Sequence, residues 1–297
     1  GCIRQFLWSA DMEFLNAFIN WLTHPTWQSE IIIAAAMCLV LYTIFKNRNE
    51  FSRHALENTA TTLVLTAFNV GVAIFFLKDV NAFAQSSYDA LRIPTLDPAI
   101  WDSVPLWIVC LFGVVAKDFV DYWNHRLMHT KWGWPTHAAH HSDTHVNAFT
   151  ANRVHFLEAL LMTVSYILLL TWLQIPQALP FVIVFYILHN KYVHMDLPFE
   201  HGPLKYLIAS PVYHRWHHAD VPKAYGKNLA NVMPVYDLMF GTYYSHGKCN
   251  EPMGALGTGV EDKSAIAIMT YPVREWTKMI KASRKAKASS KTVMPAE

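Results

Sequence analysis

Apolar positions along this chain are gathered into runs rather than alternated, which predicts helices and not half-buried strands. Ile31–Phe45 is apolar throughout and fenced by Glu30 and Lys46. It is shorter than the roughly 20 residues of a spanning helix, but borrowing Trp27 and Gln28 brings it close. Thr59–Leu77 carries no charge and reads as a second span. Between them Lys46, Arg48 and Arg53 mark a cytoplasmic loop. The segment 78–103, with Asp79, Asp89, Asp97 and Asp102, reads as an acidic and largely irregular loop on the far side. Val104–Ala116 continues without a breaker into Lys117, Asp118 and a histidine-rich stretch. One long helix is expected there, its first half in lipid and its second half in the cytosol. Pro135 ends that helix or the segment after it. Phe156–Leu173 is a fourth run with Glu158 near its start, and Gln174–Pro180 turns the chain into a short fifth span, Phe181–His189.

The remaining segments are polar or mixed. Residues 1–30 place six aromatics among few charges, as an interfacial helix would. Residues 195–260 are punctuated by Pro and Gly and form a cytosolic cap. Thr270–Lys291 sets Arg274, Lys278, Lys281, Arg284, Lys285, Lys287 and Lys291 against Glu275 alone. That is either a solvated helix with a frayed tail or a surface helix resting on anionic headgroups. The pattern as a whole predicts an all-α, multi-pass membrane helical bundle of about 4–5 spans with a cytosolic histidine-rich helical cap. Its divisions are N-terminal anchoring helices over 1–103, a catalytic domain over 104–260 and a basic C-terminal tail over 261–297.

Composition agrees: 53% of residues are apolar and only 15% charged, against averages of about 45–50% and 25% for soluble proteins. A net charge of +2 with no basic, aromatic-interleaved patch argues against nucleic acid. No signal peptide is expected, since the first apolar run begins only at Ile31 and no small-residue cleavage site follows it. The chain starts with Gly rather than Met, which leaves its native N-terminus open. The four cysteines form no CxxC pair, so any metal should be held by nitrogen or oxygen.

Histidines change the picture most. Of sixteen, His125 and His129 stand four apart, and His137, His140 and His141 stand at i, i+3 and i+4. His214, His217 and His218 repeat that second spacing. On helices each set would share a face. Eight imidazoles in ligand spacing exceed what one tetrahedral ion can use, so two ions with open positions are the economical account. Ligating imidazoles usually donate their other N–H to a carboxylate or carbonyl. Asp118 and Asp121, one to two turns before His125, are the expected orienting carboxylates. Asp143 and Asp220 read as solvated surface, His145, His201 and His246 as loop or lid residues, and His24 and His54 as interfacial.

With those residues in view, the chain resembles the fatty acid hydroxylase / sterol desaturase superfamily of membrane di-iron oxygenases. The matching elements are HRLMH at 125–129, HAAHH at 137–141 and HRWHH at 214–218. The segments HHSDTHVNAFTANRVHFLE, VHMDLPFEHGPLKYLIASPVYHRWHH and NLANVMPVYDLMFGTYY match as well, so the likeness covers about residues 104–245. It implies a metal set of His125, His129, His137, His140, His141, His214, His217 and His218, and it adds His194. Relatives often carry another histidine four positions before that one. Here the place is Asn190, with His189 one step earlier, and either could complete the shell. His155 stands in a motif whose following proline is replaced by Phe156, and is a possible ligand or partner of one.

The resemblance further implies two iron ions, O2 as co-substrate, and hydroxylation or desaturation of an unactivated C–H bond in a lipid such as a sterol or fatty acyl chain. No flavin, haem or iron–sulfur motif is present, so electrons would come from an external donor, cytochrome b5-like or a ferredoxin and its reductase. The catalytic face would be cytosolic, with a bacterial inner membrane preferred to the endoplasmic reticulum. A non-redox, hydrolase-like metalloenzyme using the same histidines to activate water is the alternative. A membrane metal-binding protein without catalysis is a weaker one, since transport sites lie near the bilayer midplane.

Overall fold

The computed structural model describes residues 52–76 and 80–292. The expected interfacial helix over 1–30 and the span Ile31–Phe45 lie outside them. Contacts gather Ser52–Glu297 into one compact unit, which is how the protein is described here. Among the described residues the structure is all-helical, with nine α-helices, short 3-10 turns and a single isolated bridge between Ala219 and Met253.

The frame is three helices: α3 (Leu106–Met128), α5 (Phe156–Leu173) and α6 (Leu179–His194). They meet over Val109, Cys110, Val114, Tyr166, Leu173, Val182 and Tyr186, all buried. Gly113 lets α3 and α6 approach, since a Cβ there would meet Val182 Cγ2 at 3.0 Å. The helix expected from Val104 through the first histidines is therefore a single helix, and it stops at Met128. Pro135 does not end it. It sits in the first turn of the short helix α4 (Trp134–His137), where a missing N–H costs nothing.

One expectation is corrected in the flanking segments. Residues 78–103 are not a loop throughout, because Val80–Leu91 forms helix α2. Its Ala84 is buried, and its Tyr88 hydroxyl donates to the Leu168 carbonyl at 3.0 Å, which docks it on α5. Its acidic residue Asp89 faces outward and accepts from Gln85 one turn earlier. The charged loop continues only from Arg92. The basic C-terminal stretch is the 28-residue helix α9 (Ala265–Thr292). Its first turns pack Ile268 and Tyr271 against Ala138, Ala139 and Leu65, while residues 281–287 are exposed.

Helix α1 (Arg53–Phe76) is more than an anchor. Its Asn58 amide donates to Asp143 at 3.1 Å and to Asp262 at 2.6 Å, and its Asn69 amide donates to the Val154 carbonyl at 3.0 Å. These bonds tie α1 to the loops that carry the histidines. Asp143, read as solvated surface, is 1% exposed and also accepts from Thr150. His54, exposed, contacts Asp262 at 2.8 Å.

Among the described residues one helix, Phe156–Leu173, is long and apolar enough to cross a membrane. Two of the other expected spans fall short for visible reasons. Lys117, Asp118 and Asp121 charge the second half of α3, and α6 has 16 residues, about 24 Å at 1.5 Å each.

Gly133 fixes the turn between α3 and α4. A Cβ there would meet the Leu127 carbonyl oxygen at 2.3 Å and Met128 Cα at 2.6 Å, both backbone atoms. Gly133→Ala should therefore destabilise the protein by about 1–3 kcal/mol, as overpacking does. It should also lower metal occupancy by displacing His137. Thermal unfolding and metal content of the purified variant check this, and a wild-type value for both would refute it.

Candidate metal centre

Five separate segments deliver the histidines. α3 presents His125 on its last turn, and His129 caps the same helix. After Gly133, α4 presents His137 at its end, and a 3-10 turn over His140–Ser142 follows at once. α6 ends on His194. Helix α7 (Pro211–His217) presents His214 and His217, with His218 as its cap. α7 is short, and it forms because Ser210 Oγ accepts the Tyr213 N–H at 3.1 Å and Pro211 occupies the first turn.

The ring nitrogens converge in two groups. His125, His129, His137 and His217 bring one ligand atom each within 4.8 Å of one another, and so do His140, His194, His214 and His218. In the first group His125 Nε2 faces His137 Nε2 at 2.9 Å. His141 adjoins it, with Nε2 3.0 Å from His217 Nε2. In the second, His194 Nε2 lies 3.0 Å from His214 Nε2 and 3.2 Å from those of His140 and His218. The HxxHH spacing does not put three rings on one helical face. In the first motif a helical turn ends at His137 and a 3-10 turn begins at His140, while the second stays helical to His217, and each motif splits its histidines between the two groups.

Outer contacts fix the tautomers. His125 Nδ1 faces the Leu229 carbonyl oxygen at 2.7 Å, His217 Nδ1 that of Lys227 at 2.8 Å, and His194 Nδ1 that of Asn190 at 2.6 Å. A carbonyl only accepts, so each Nδ1 carries the proton and each Nε2 turns a lone pair inward. His137 Nδ1 meets Glu158 Oε1 at 2.9 Å. His129 Nε2 is buried and makes no hydrogen bond among the described residues.

Electrostatics point the same way. Burial holds His129, His137, His140, His141, His214, His217 and His218 well below the ordinary imidazole pKa, and neighbouring histidines lower them further. His194 is pushed down to about 3, again mainly by burial. These are neutral imidazoles, the protonation state a metal requires. Inward lone pairs at such separations repel unless a cation lies between them. The donor set therefore fits two metal ions bound mainly by nitrogen.

The remaining sequence candidates stand outside these groups. Asp118 and Asp121 do not orient ligating rings. Asp118 accepts the backbone N–H groups of Val232 and Met233 at 2.9 and 2.7 Å, and Asp121 pairs with Lys117. Asp118, buried, clamps the loop beneath His125. Asp237 clamps the same loop by accepting from Leu229 N at 2.7 Å and Ala230 N at 2.9 Å. His189 faces the Asn231 carbonyl oxygen at 3.1 Å and stacks on Phe185. Asn190 contributes its backbone carbonyl to His194, and its side chain lines a cavity. His155 caps α5, accepting the Leu157 N–H at 3.2 Å, with Nε2 against the Met269 carbonyl. His201 contacts the Tyr192 hydroxyl, and His246 stacks on Tyr244.

The orienting groups missed in the sequence are Glu158 and the Lys227 and Leu229 carbonyls. Glu158 did give a signal, being a lone carboxylate in an apolar run. A backbone carbonyl gives none.

Residues 110–242 match the sequence model of the fatty acid hydroxylase family. Curated relatives include the alkylglycerol monooxygenase of Xenopus tropicalis, 32% identical over 54% of this chain and 34% of that protein. The ornithine lipid hydroxylase OlsE of Rhizobium tropici is 28% identical over 48% of this chain and 44% of its own length. Methylsterol monooxygenase 1-1 of Arabidopsis thaliana is 26% identical over 51% and 50%. The histidine-bearing segment, residues 110–242, is thus a fatty acid hydroxylase domain. The chain spans between a third and a half of the length of these relatives. No solved structure matches it.

Glu158→Ala should weaken metal binding by about 10–100-fold, the usual cost of losing the partner of a ligating imidazole. Chelator competition on the purified variant measures this, and wild-type retention would remove Glu158 from the centre.

Proposed function

We propose that this protein is a membrane-bound di-iron oxygenase that uses O2 and external electrons to hydroxylate, or desaturate, an unactivated C–H bond of a lipid. The observation that carries the reading is the pair of converging nitrogen groups, His125, His129, His137, His141 and His217 in one, His140, His194, His214 and His218 in the other. A single tetrahedral zinc centre that activates water has no use for nine imidazoles. Iron bound there would supply the redox chemistry that C–H cleavage demands and zinc lacks.

The protein's own groups do the rest. Leu229 O, Lys227 O, Asn190 O and Glu158 hold the rings in one tautomer, so that the metals meet pre-aimed nitrogens. The curated relatives are named for lipid oxidation, which supports a lipid substrate. Electrons would come from a separate donor of the cytochrome b5 or ferredoxin kind.

Support for a multi-pass membrane protein comes from the surface. Leu63, Val64, Phe68 and Phe75 on α1, Leu106, Trp107 and Leu111 on α3, and Phe181, Ile187 and Leu188 on α6 are all exposed. In water an apolar surface that large would drive aggregation, whereas lipid solvates it. On this reading residues 1–103 anchor, 104–260 carry the di-iron domain and 261–297 form a basic tail, with the centre at the cytosolic face of a bacterial inner membrane.

Purified protein should contain about two irons per chain with the Mössbauer signature of coupled iron. His140→Ala and His217→Ala should insert normally and yield no product. One zinc per chain, with no oxygen consumed when reductant is added, would sink the oxygenase reading.

A further inference from the structure

A cavity of ≈ 290 Å³ abuts both histidine groups, touching His125 and His137 of one and His140 and His214 of the other. Two lysines reach into it from different helices, Lys117 on α3 and Lys191 on α6. Lys117 is compensated, for it pairs with Asp121, and its ammonium sits 3.7 Å from the Tyr186 ring centroid. Lys191 is not. Its ammonium donates to the neutral Oδ1 of Asn152 at 2.6 Å and forms no ion pair with a carboxylate among the described residues. It is partly buried and stands three residues before His194, one helical turn from a proposed ligand. A cation with only neutral partners beside a cavity is costly unless an anion arrives to share the site.

Size and surroundings say what kind of anion. At about 30 Å³ per water-sized unit, the cavity holds roughly ten non-hydrogen atoms, enough for a headgroup and its first carbons. A whole lipid does not fit. Ile187, on the same helix as Lys191, lines the cavity and is 53% exposed. Cavity and apolar outer surface therefore adjoin at that point, which gives an alkyl tail a way out toward lipid.

We propose that Lys191 anchors the anionic headgroup of a lipid substrate, so that the C–H bond attacked lies within a few bonds of the head and not at mid-chain. This rests on the oxygenase reading for the reaction, but the binding site does not depend on it.

The test is saturation binding of radiolabelled dodecyl phosphate and dodecanol to the purified full chain in nanodiscs of uncharged lipid, corrected for uptake by empty discs. Dodecyl phosphate should bind the wild type at least tenfold more tightly than dodecanol. Lys191→Met should reduce that preference to twofold or less, and Lys191→Arg should keep most of it. Inorganic phosphate should not displace dodecyl phosphate at comparable concentration. Equal affinities in the wild type would overturn the proposal without any variant, and so would an undiminished preference in Lys191→Met. Displacement by inorganic phosphate at matching affinity would overturn the lipid assignment. Metal content is read on the same samples. A tenfold preference in protein that holds no iron would overturn the oxygenase reading alone.

Discussion

Nine neutral imidazoles packed against one another, eight of them buried and His129 half-buried, set the terms for this structure. Burial keeps them unprotonated, and outer partners turn several of their lone pairs into the same small volume. Such an arrangement is repulsive by itself and becomes favourable only around cations. The scaffold must therefore hold the rings in place before any ion arrives. Most of the polar bonds near the site serve that end.

The holding is done in layers. Carbonyls of Leu229, Lys227 and Asn190 take the outer nitrogens, and the loop that supplies Leu229 is itself clamped by Asp118 and Asp237. Asp237 also accepts from the hydroxyls of Tyr213 and Thr242, which links the clamp to α7 and its two histidines. Asn58 and Arg153 do comparable work on the opposite side. Arg153, fully buried, donates to Ser142 Oγ at 2.7 Å and to the Asn58 carbonyl at 3.0 Å. Asn58 lies far from the histidines in sequence, and its bonds to Asp143 and Asp262 help hold α1 in the same unit as the site.

The same frame accounts for how a lipid would meet the centre. α5 and α6 descend from the site with apolar outer faces, and the cavity lies between their inner sides and α3. Polar groups cluster at the end nearest the histidines, and apolar ones face outward. A molecule with one charged end and one hydrocarbon end is sorted by that gradient before any chemistry begins.

Residue spacing in the sequence was enough to mark the histidines as candidate metal ligands, because that many imidazoles at helical intervals have no role in an ordinary core, and the fold gathers their nitrogens into two groups. The long helix into His125 was equally legible, since nothing between Leu106 and Met128 breaks it. What spacing could not decide was the partition. HxxHH reads as one face of one helix, yet the chain changes from a helical turn to a 3-10 turn inside the motif, and only tertiary packing sends His137 and His140 to different groups. Nor could it show which carboxylates orient rings. Asp118 and Asp121 are close in sequence but occupied elsewhere, while Glu158 reaches His137 from another helix. Local sequence determines which atoms can bind a metal. Packing between distant segments determines which of them meet.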